Sequence, residues 1–227
     1  MLAPALHHTV GSARGFKCQI TLRNIAFDFA LFADQTLHGP RGNDAQFNDR
    51  FRLATFQESE YEIDEFWNYG DQPSFTMEAS NSYDHLRCTE VSGDLVLNRD
   101  TPCTSVGALN PPQNVSFGFN SRLQRIETNG PFGPTATPVF LSHAILEHPD
   151  VPLVWDVEGA EAGRHGDMTP QFSAPSLDSL FLYNNDKKWF PAMRHNGAMN
   201  VAFIGGQVLT TRTPLSEPGW QWAFRPH

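Results

Sequence analysis

The chain has 227 residues, a length that fits one large domain or two small ones and that suffices to bury a sizeable core. Its 18 phenylalanines and 5 tryptophans exclude simple disorder, and its 17 glycines and 17 prolines indicate long loops. The formal net charge of -9 argues against a nucleic-acid partner, because phosphate binding needs a basic surface.

The first predicted element is a single helix over residues 2 to about 34. Its second half carries an apolar stripe with alternating spacings of four and three residues, formed by Cys18, Leu22, Ile25, Phe29 and Phe32. We expect this half to pack on a domain. A separate apolar group lies on a different side of the first half, and its members are Leu2, Leu6 and Val10. The sequence offers no obvious domain to cover that first half.

The middle of the chain predicts short elements separated by loops. Acidic residues alternate with other types over 58–64, which favours a strand with an acidic solvent face. A further strand is expected over 94–97 and another over 115–120. Glycines and prolines over 130–138 indicate a loop, and Pro138 suits the first turn of a helix that runs to Glu147. The apolar run 151–157 predicts a buried strand.

A β-hairpin is predicted over 199–211. Two strand-like runs flank Gly205-Gly206, and a two-residue turn needs positive φ, which glycine adopts without a Cβ penalty. The predicted register places Phe203 opposite Val208, Val201 opposite Thr210, and Ala202 opposite Leu209. The expected fold is therefore α+β, with the helix of residues 1–34 packed on a mainly antiparallel β domain with many loops over 35–227.

The three cysteines are Cys18, Cys88 and Cys103, and none forms a CxxC pair that would indicate a zinc ribbon. Cys88 and Cys103 bracket a short segment that contains Gly93 and Pro102. This spacing predicts a disulfide between them in an oxidising compartment. Two buried free thiols are the alternative.

No catalytic motif is present, and His195 has no second histidine at ligand spacing. We therefore expect His195 to hydrogen-bond a backbone group at the start of a strand. The best metal candidates are the acidic residues of one loop, namely Asp156, Glu158, Glu161 and Asp167. Their oxygen ligands suit calcium, although the spacing is not that of an EF-hand, so a solvated acidic loop is the default interpretation.

The segment RHNGAMNVAFIGGQV at 194–208 resembles the C-terminal motif of type IV pilin-like and type II secretion pseudopilin-like proteins, which reads His, nine residues, Asp-Gly. His195 and Gly206 match it, and Gly205 stands where the family has Asp. The N-terminal helix resembles the second half of the family's helix, with Cys18 and the run 22–25 in the corresponding places. The segments 86–88, 116–120 and 141–158 resemble further parts of the family.

The family's basic leader and apolar helix start with its glutamate are not in this sequence, so we expect a chain trimmed before Met1, or a member that has lost its anchor. The resemblance implies a non-catalytic filament subunit of the bacterial cell envelope. Its partners would be other pilin or pseudopilin subunits and, through the missing segment, the inner membrane. Leu2, Leu6 and Val10 would belong to the assembly surface, and the trimmed chain would be a monomer. Some pseudopilins of this kind hold calcium in a C-terminal loop.

Two other functions are compatible with the sequence. The first is an envelope-exposed module that binds glycans through exposed aromatic residues such as Trp67, Tyr69 and Trp220. The second is a secreted hydrolase, which would need a pocket that brings together Asp156, Glu158 and His195.

Overall fold

A computed structural model describes residues 3–34, 50–61, 74–77, 88–91, 95–98, 116–130, 133–159, 161, 171–172 and 189–226. Within these residues the fold is α+β, as predicted. The helices are α1 (Ala3–Ala33) and α2 (Leu53–Tyr61), with 3₁₀ turns at Ser121–Leu123 and His143–Glu147. The strands are β1 (Ser74–Met77), β2 (Leu95–Asn98), β3 (Phe117–Asn120), β4 (Arg125–Gly130), β5 (Gly133–Pro138), β6 (Pro152–Asp156), β7 (Gln171–Phe172), β8 (Met199–Phe203) and β9 (Val208–Thr211).

The main sheet has five strands in the order β7-β3-β6-β8-β9. The four strands from β3 to β9 in this order pair antiparallel, whereas β7 pairs parallel with β3. Strands β1 and β2 form one separate antiparallel pair, and β4 and β5 form another. The predicted buried strand over 151–157 is β6, which is completely buried at the centre of the main sheet.

The predicted apolar stripe is the buried face of α1. All five of its residues, from Cys18 to Phe32, are at most 2% exposed. Phe29 contacts Phe56 edge-on with ring centroids 5.3 Å apart, and Phe32 contacts Phe51 at 5.2 Å. Such edge-to-face pairs add to the stabilisation that burial of the rings provides. The second half of α1 is therefore an integral part of the core.

Helix α2 overlaps the segment predicted as an acidic strand, so that prediction was wrong for residues 58–61. Leu53, Phe56, Gln57 and Tyr61 are buried, and their spacing places them on one side of a helix. The helical form lets Phe56 contact both Phe29 and Tyr61, which outweighs the two-residue alternation of the acidic side chains. Residues 62–64 lie outside the described residues.

The expected loop over 130–138 and the expected helix from Pro138 to Glu147 also need correction. Residues 125–138 contain the β4-β5 hairpin, and its prolines are tolerated because β5 has a partner on one side only. A helix cannot start at Pro138 because Leu141 is extended and exchanges two backbone hydrogen bonds with Phe51, of 2.8 and 2.9 Å. Only the 3₁₀ turn His143–Glu147 remains of the predicted helix.

The C-terminal hairpin is present, but its predicted register was wrong by one residue. Val201 pairs with Leu209 and Ala202 pairs with Val208. Gly206 has a φ of 81° and donates a 2.9 Å hydrogen bond to the Phe203 carbonyl, so the loop has three residues instead of two. Both glycines were predicted to be turn residues with positive φ, whereas only Gly206 adopts it.

Gly205 is required for a different reason. A Cβ at this position would lie 2.7 Å from Pro149 Cβ, and the Gly205 amide donates a 3.0 Å hydrogen bond to the Pro149 carbonyl. The close backbone approach excludes any side chain. This contact accounts for glycine where the resembling family has aspartate.

No described helix combines the length and the apolar character that crossing a membrane requires.

Candidate functional site

A cluster of buried and partly buried polar residues lies where α1 crosses the main sheet. We call it the His195 cluster, and it consists of Glu90, Asp156, Arg194, His195 and the Cys18–Cys88 disulfide. Asp156 is the last residue of β6, Arg194 and His195 precede β8, and Cys18 lies on the buried face of α1. The cluster therefore joins three elements that are far apart in the sequence.

A tight turn positions His195. Asn196 and Gly197 have φ values of 55° and 78°, and His195 and Ala198 exchange backbone hydrogen bonds of 3.0 and 3.2 Å across them. Asn-Gly with positive φ at both residues is the commonest composition of a two-residue hairpin turn. The expectation that His195 bonds a backbone group was wrong for its side chain, which lies against the carboxylates of Asp156 and Glu90; only its main chain bonds the backbone of Ala198. The Asn-Gly dipeptide was the signal that the sequence analysis missed.

The His195 imidazole lies between two carboxylates. Its Nε2 is 3.2 Å from Oδ2 of Asp156, and its Nδ1 is 3.3 Å from Oε1 of Glu90. Burial of the ring opposes its charged form, but the hydrogen bond and charge of Asp156 and the charge of Glu90 outweigh this effect and raise the pKa of His195 above its ordinary value. The site therefore favours an imidazolium.

Asp156 is the centre of the hydrogen-bond network. Its side chain is fully buried, and its Oδ2 accepts a 2.7 Å hydrogen bond from the Asn200 amide. Its Oδ1 accepts a 3.4 Å hydrogen bond from Nη1 of Arg194, which also donates to the Ser116 carbonyl at 3.1 Å. Burial lowers the pKa of Arg194 although three carboxylates oppose this shift. The network thus compensates the charge of a carboxylate inside the core.

The structure corrects the predicted disulfide. Cys88 is bonded to Cys18, with the two Cα atoms 5.2 Å apart, so the predicted Cys88–Cys103 pairing was wrong. Cys103 lies outside the described residues. The two bonded cysteines are 70 positions apart in the sequence, and only the packing of α1 on the sheet brings them together. No local sequence signal indicates this pairing.

Polar contacts beside the disulfide extend the link between α1 and the sheet. Nε2 of Gln19 donates hydrogen bonds to Oδ1 of Asn200 at 3.3 Å and to Oγ1 of Thr210 at 2.8 Å. The hydroxyl of Thr210 also contacts Oδ1 of Asn200 at 2.6 Å. The His195 cluster and these hydrogen bonds together connect the middle of α1 with β8 and β9.

The three described acidic residues of the predicted calcium site, Asp156, Glu158 and Glu161, lie in different environments. Asp156 faces Arg194 and His195 inside the core, whereas the Glu158 carboxylate is half-exposed and 3.9 Å from Nη2 of Arg194. Glu161 is partly buried, and Asp167 lies outside the described residues. Calcium binding stays a prediction, and the position of Asp156 gives it no support.

Of the other predicted functional residues, the structure describes Leu6, Val10 and Trp220. Val10 is 42% exposed on α1, Leu6 lies within the same helix, and Leu2 is outside the described residues. Trp220 packs on Phe203 with ring centroids 4.9 Å apart, while Trp67 and Tyr69, the other aromatic residues proposed to bind glycans, are outside the described part. For the hydrolase alternative, Asp156 and His195 do come together, but Glu158 does not join them.

No protein-family model matches this sequence, and neither a curated protein nor a solved structure is significantly similar to it. The arrangement of the described residues is therefore the basis for the functional interpretation.

Proposed function

We propose that the chain is a non-catalytic structural subunit of a type IV pilus-like filament or a type II secretion pseudopilus. Support comes from α1, which has apolar residues on two opposite sides. One side is the buried stripe. The other carries Phe16, Ile20 and Phe27, which are 63%, 43% and 61% exposed. Because they are spaced by four and seven residues, these three side chains share one side of the helix.

The first half of α1 adds a second argument. No side chain among residues 9–17 is buried, whereas the stripe from Cys18 onward is covered by the sheet and by α2. Exposed apolar side chains on a long helix indicate a surface that another molecule covers. In a filament, helices of neighbouring subunits would cover this surface, and burial of the apolar side chains would stabilise the assembly.

The disulfide fits a location in the cell envelope, since disulfides persist in oxidising compartments such as the periplasm. The partners would be other pilin-like subunits, with the inner membrane holding the protein before assembly. The His195 cluster would have a structural role in this function. It would keep α1 fixed on the head while neighbouring subunits pack against the outer side of the helix.

Photo-crosslinking in the bacterium that encodes the chain would test this proposal. A photoreactive amino acid replaces Phe16, Ile20 or Phe27 in turn, and Arg212, an exposed residue of the head, serves as the control position. We expect crosslinks to other copies or to related subunits from the three α1 positions and few or none from Arg212. The purified 227-residue chain should remain a monomer in light scattering.

A double variant separates assembly from folding. Phe16→Ser with Phe27→Ser should abolish the crosslinks from position 20 and remove the protein from sheared envelope filaments. Its melting temperature should stay within a few degrees of the wild type, because both side chains are exposed. Equal crosslinking from α1 and Arg212, or crosslinks that survive the double substitution, would refute the filament function.

A further inference from the structure

The geometry points to a zinc site in the His195 cluster that forms when the Cys18–Cys88 disulfide is reduced. The ligands would be the two thiolates and Nε2 of His195. This inference goes beyond the proposed function and does not depend on it. With the disulfide intact the sulfurs are bonded to each other and bind no metal, so the same residues would alternate between a covalent link and a metal-bound link.

Distances support this set of ligands. Cys18 Sγ, Cys88 Sγ and a ring nitrogen of His195 all lie within 4.8 Å of one another, and all three residues are buried. The separation between Cys88 Sγ and His195 Nε2 is 3.7 Å. A sulfur and a nitrogen bound to one tetrahedral zinc ion are about 3.5 Å apart, given bond lengths near 2.3 and 2.0 Å. This pair is thus already placed as zinc ligands would be.

The surroundings of His195 also fit a metal ligand. A histidine that binds zinc through one nitrogen usually donates its other N–H to a carboxylate, which fixes the tautomer and orients the ring. Glu90 Oε1 lies 3.3 Å from Nδ1 and can take this role. Asp156 Oδ2, 3.2 Å from Nε2, can fill the fourth position of the ion, or water can fill it. The Glu90 side chain is 19% exposed and is the part of the cluster nearest to solvent among these carboxylates, since Asp156 is fully buried.

Reduction of the Cys18–Cys88 disulfide requires a reductant, and a dithiol can supply the electrons. The dithiol gives two electrons to the disulfide, the S–S bond breaks, each cysteine sulfur takes up a proton, and the reductant becomes a cyclic disulfide. Zinc then binds both sulfurs as thiolates and displaces two protons. The imidazole binds through the lone pair of Nε2 in its neutral form, so an imidazolium releases its Nε2 proton to solvent as a third proton. On a tetrahedral zinc ion the two sulfurs are roughly 3.8 Å apart, so the two cysteine side chains must separate once the S–S bond is broken.

Cobalt and zinc titration of the purified chain would test the site. After anaerobic reduction with a dithiol and desalting, the wild type should bind one Co²⁺ per chain with a thiolate-to-metal charge-transfer band and tetrahedral d–d bands, and Zn²⁺ should displace it. The unreduced protein should show no such bands. Cys18→Ser and Cys88→Ser should each remove most of the charge-transfer band, and Cys103→Ser should leave it unchanged.

Two further variants test the histidine. His195→Gln should weaken zinc binding at least about tenfold, because it removes a ligand. Glu90→Gln should weaken it about tenfold, the usual effect of losing a carboxylate that accepts the second N–H of a zinc-bound histidine. Circular dichroism follows folding in parallel. If reduction alone unfolds the chain, zinc should restore the fold of the wild type but not of Cys18→Ser. Absence of Co²⁺ bands, an unchanged affinity in His195→Gln, or failure of zinc to refold an unfolded reduced chain would overturn the proposal.

Discussion

The two halves of helix α1 have similar local character but different environments. Both contain large apolar residues, and both are helical. From Cys18 to Ala33, one side of the helix is covered by the sheet and α2, while residues 9–17 have no buried side chain. A helix this exposed gains little from tertiary packing, and isolated helices of this length are only marginally stable in water. The second half is held by the core on one side, although Ile20 and Phe27 on its outer side are exposed like Phe16 in the first half.

The largest expected effect separates the two halves directly. Phe29→Ala should lower the free energy of unfolding by about 3–5 kcal/mol, because it removes a fully buried ring that contacts Phe51 and Phe56. Phe16→Ala, in the first half, should change it by no more than about 0.5 kcal/mol, and so should Phe27→Ala, which lies on the exposed side of the second half. Urea denaturation measures all three. Similar losses for Phe16 and Phe29 would remove the distinction between the halves.

The disulfide lies at the junction of the halves. The double variant Cys18→Ser, Cys88→Ser should lose about 4 kcal/mol, as expected from the entropy of closing a loop of 70 residues. Cys103→Ser is the matched control and should cost little. Counting thiols in the unreduced wild type by mass spectrometry should give one, since two of the three cysteines are bonded. A destabilised Cys103→Ser variant would instead support the Cys88–Cys103 pairing.

The His195 cluster should make the attachment of α1 sensitive to pH. Because the folded-state pKa of His195 is raised, its contribution is complete below the unfolded value of about 6.5 and is lost as the pH rises through the folded-state pKa. His195→Gln should therefore cost about 1.5–3 kcal/mol at pH 5, as for hydrogen bonds to charged groups, and less at pH 9. The exposed His143, changed to Gln, is the control. Denaturation at a series of pH values would show whether the two variants differ.

Gly205 tests the packing beside the second half of α1, where the hairpin loop and Ala26, Phe27 and Ala30 line a groove. Gly205→Ala should cost about 1–3 kcal/mol because the new Cβ would overlap Pro149. Gly206→Ala meets no atom within 4 Å and should cost about 1–2 kcal/mol from its positive φ alone. Gly205→Asp should be as costly as Gly205→Ala. Full stability of that variant would show that the Pro149 contact is not restrictive.

The smallest effect is expected in the exposed half. Gly11→Ala should increase helix content in circular dichroism, since alanine favours helix by about 1 kcal/mol and no atom lies within 4 Å of the new Cβ. The global free energy of unfolding should change by less than about 0.5 kcal/mol, because residues 9–17 are not packed into the core. A gain of the full 1 kcal/mol would mean that both halves unfold as one unit.

Local patterns predicted the elements that have one strong periodicity. The stripe from Cys18 to Phe32 repeats every three to four residues and was correctly assigned to the buried side of a helix, and the apolar run 151–157 was correctly assigned to a central strand. Tertiary contacts also bury Trp222 near the C-terminus, which is 1% exposed and whose indole N–H donates to the Pro214 carbonyl.

Predictions failed where two patterns competed or where distant segments met. The acidic alternation near residue 60 suggested a strand, but contacts of Phe56 with the core favour α2. The register of the C-terminal hairpin depends on which of two adjacent glycines takes positive φ, and the contact with Pro149 decides that. The effect of Pro149 on the hairpin register, and that of Phe56 on the choice between helix and strand, could be predicted only from knowledge of what packs against these residues.

The sequence by itself determined the long helix, its buried stripe and the existence of the C-terminal hairpin, because helix and strand periodicities are properties of neighbouring residues. Only the tertiary structure decided that Cys18 bonds Cys88, that His195 lies between Asp156 and Glu90, and that Gly205 faces Pro149. These contacts join residues far apart in the chain, and their distances are set by how the helix packs on the sheet.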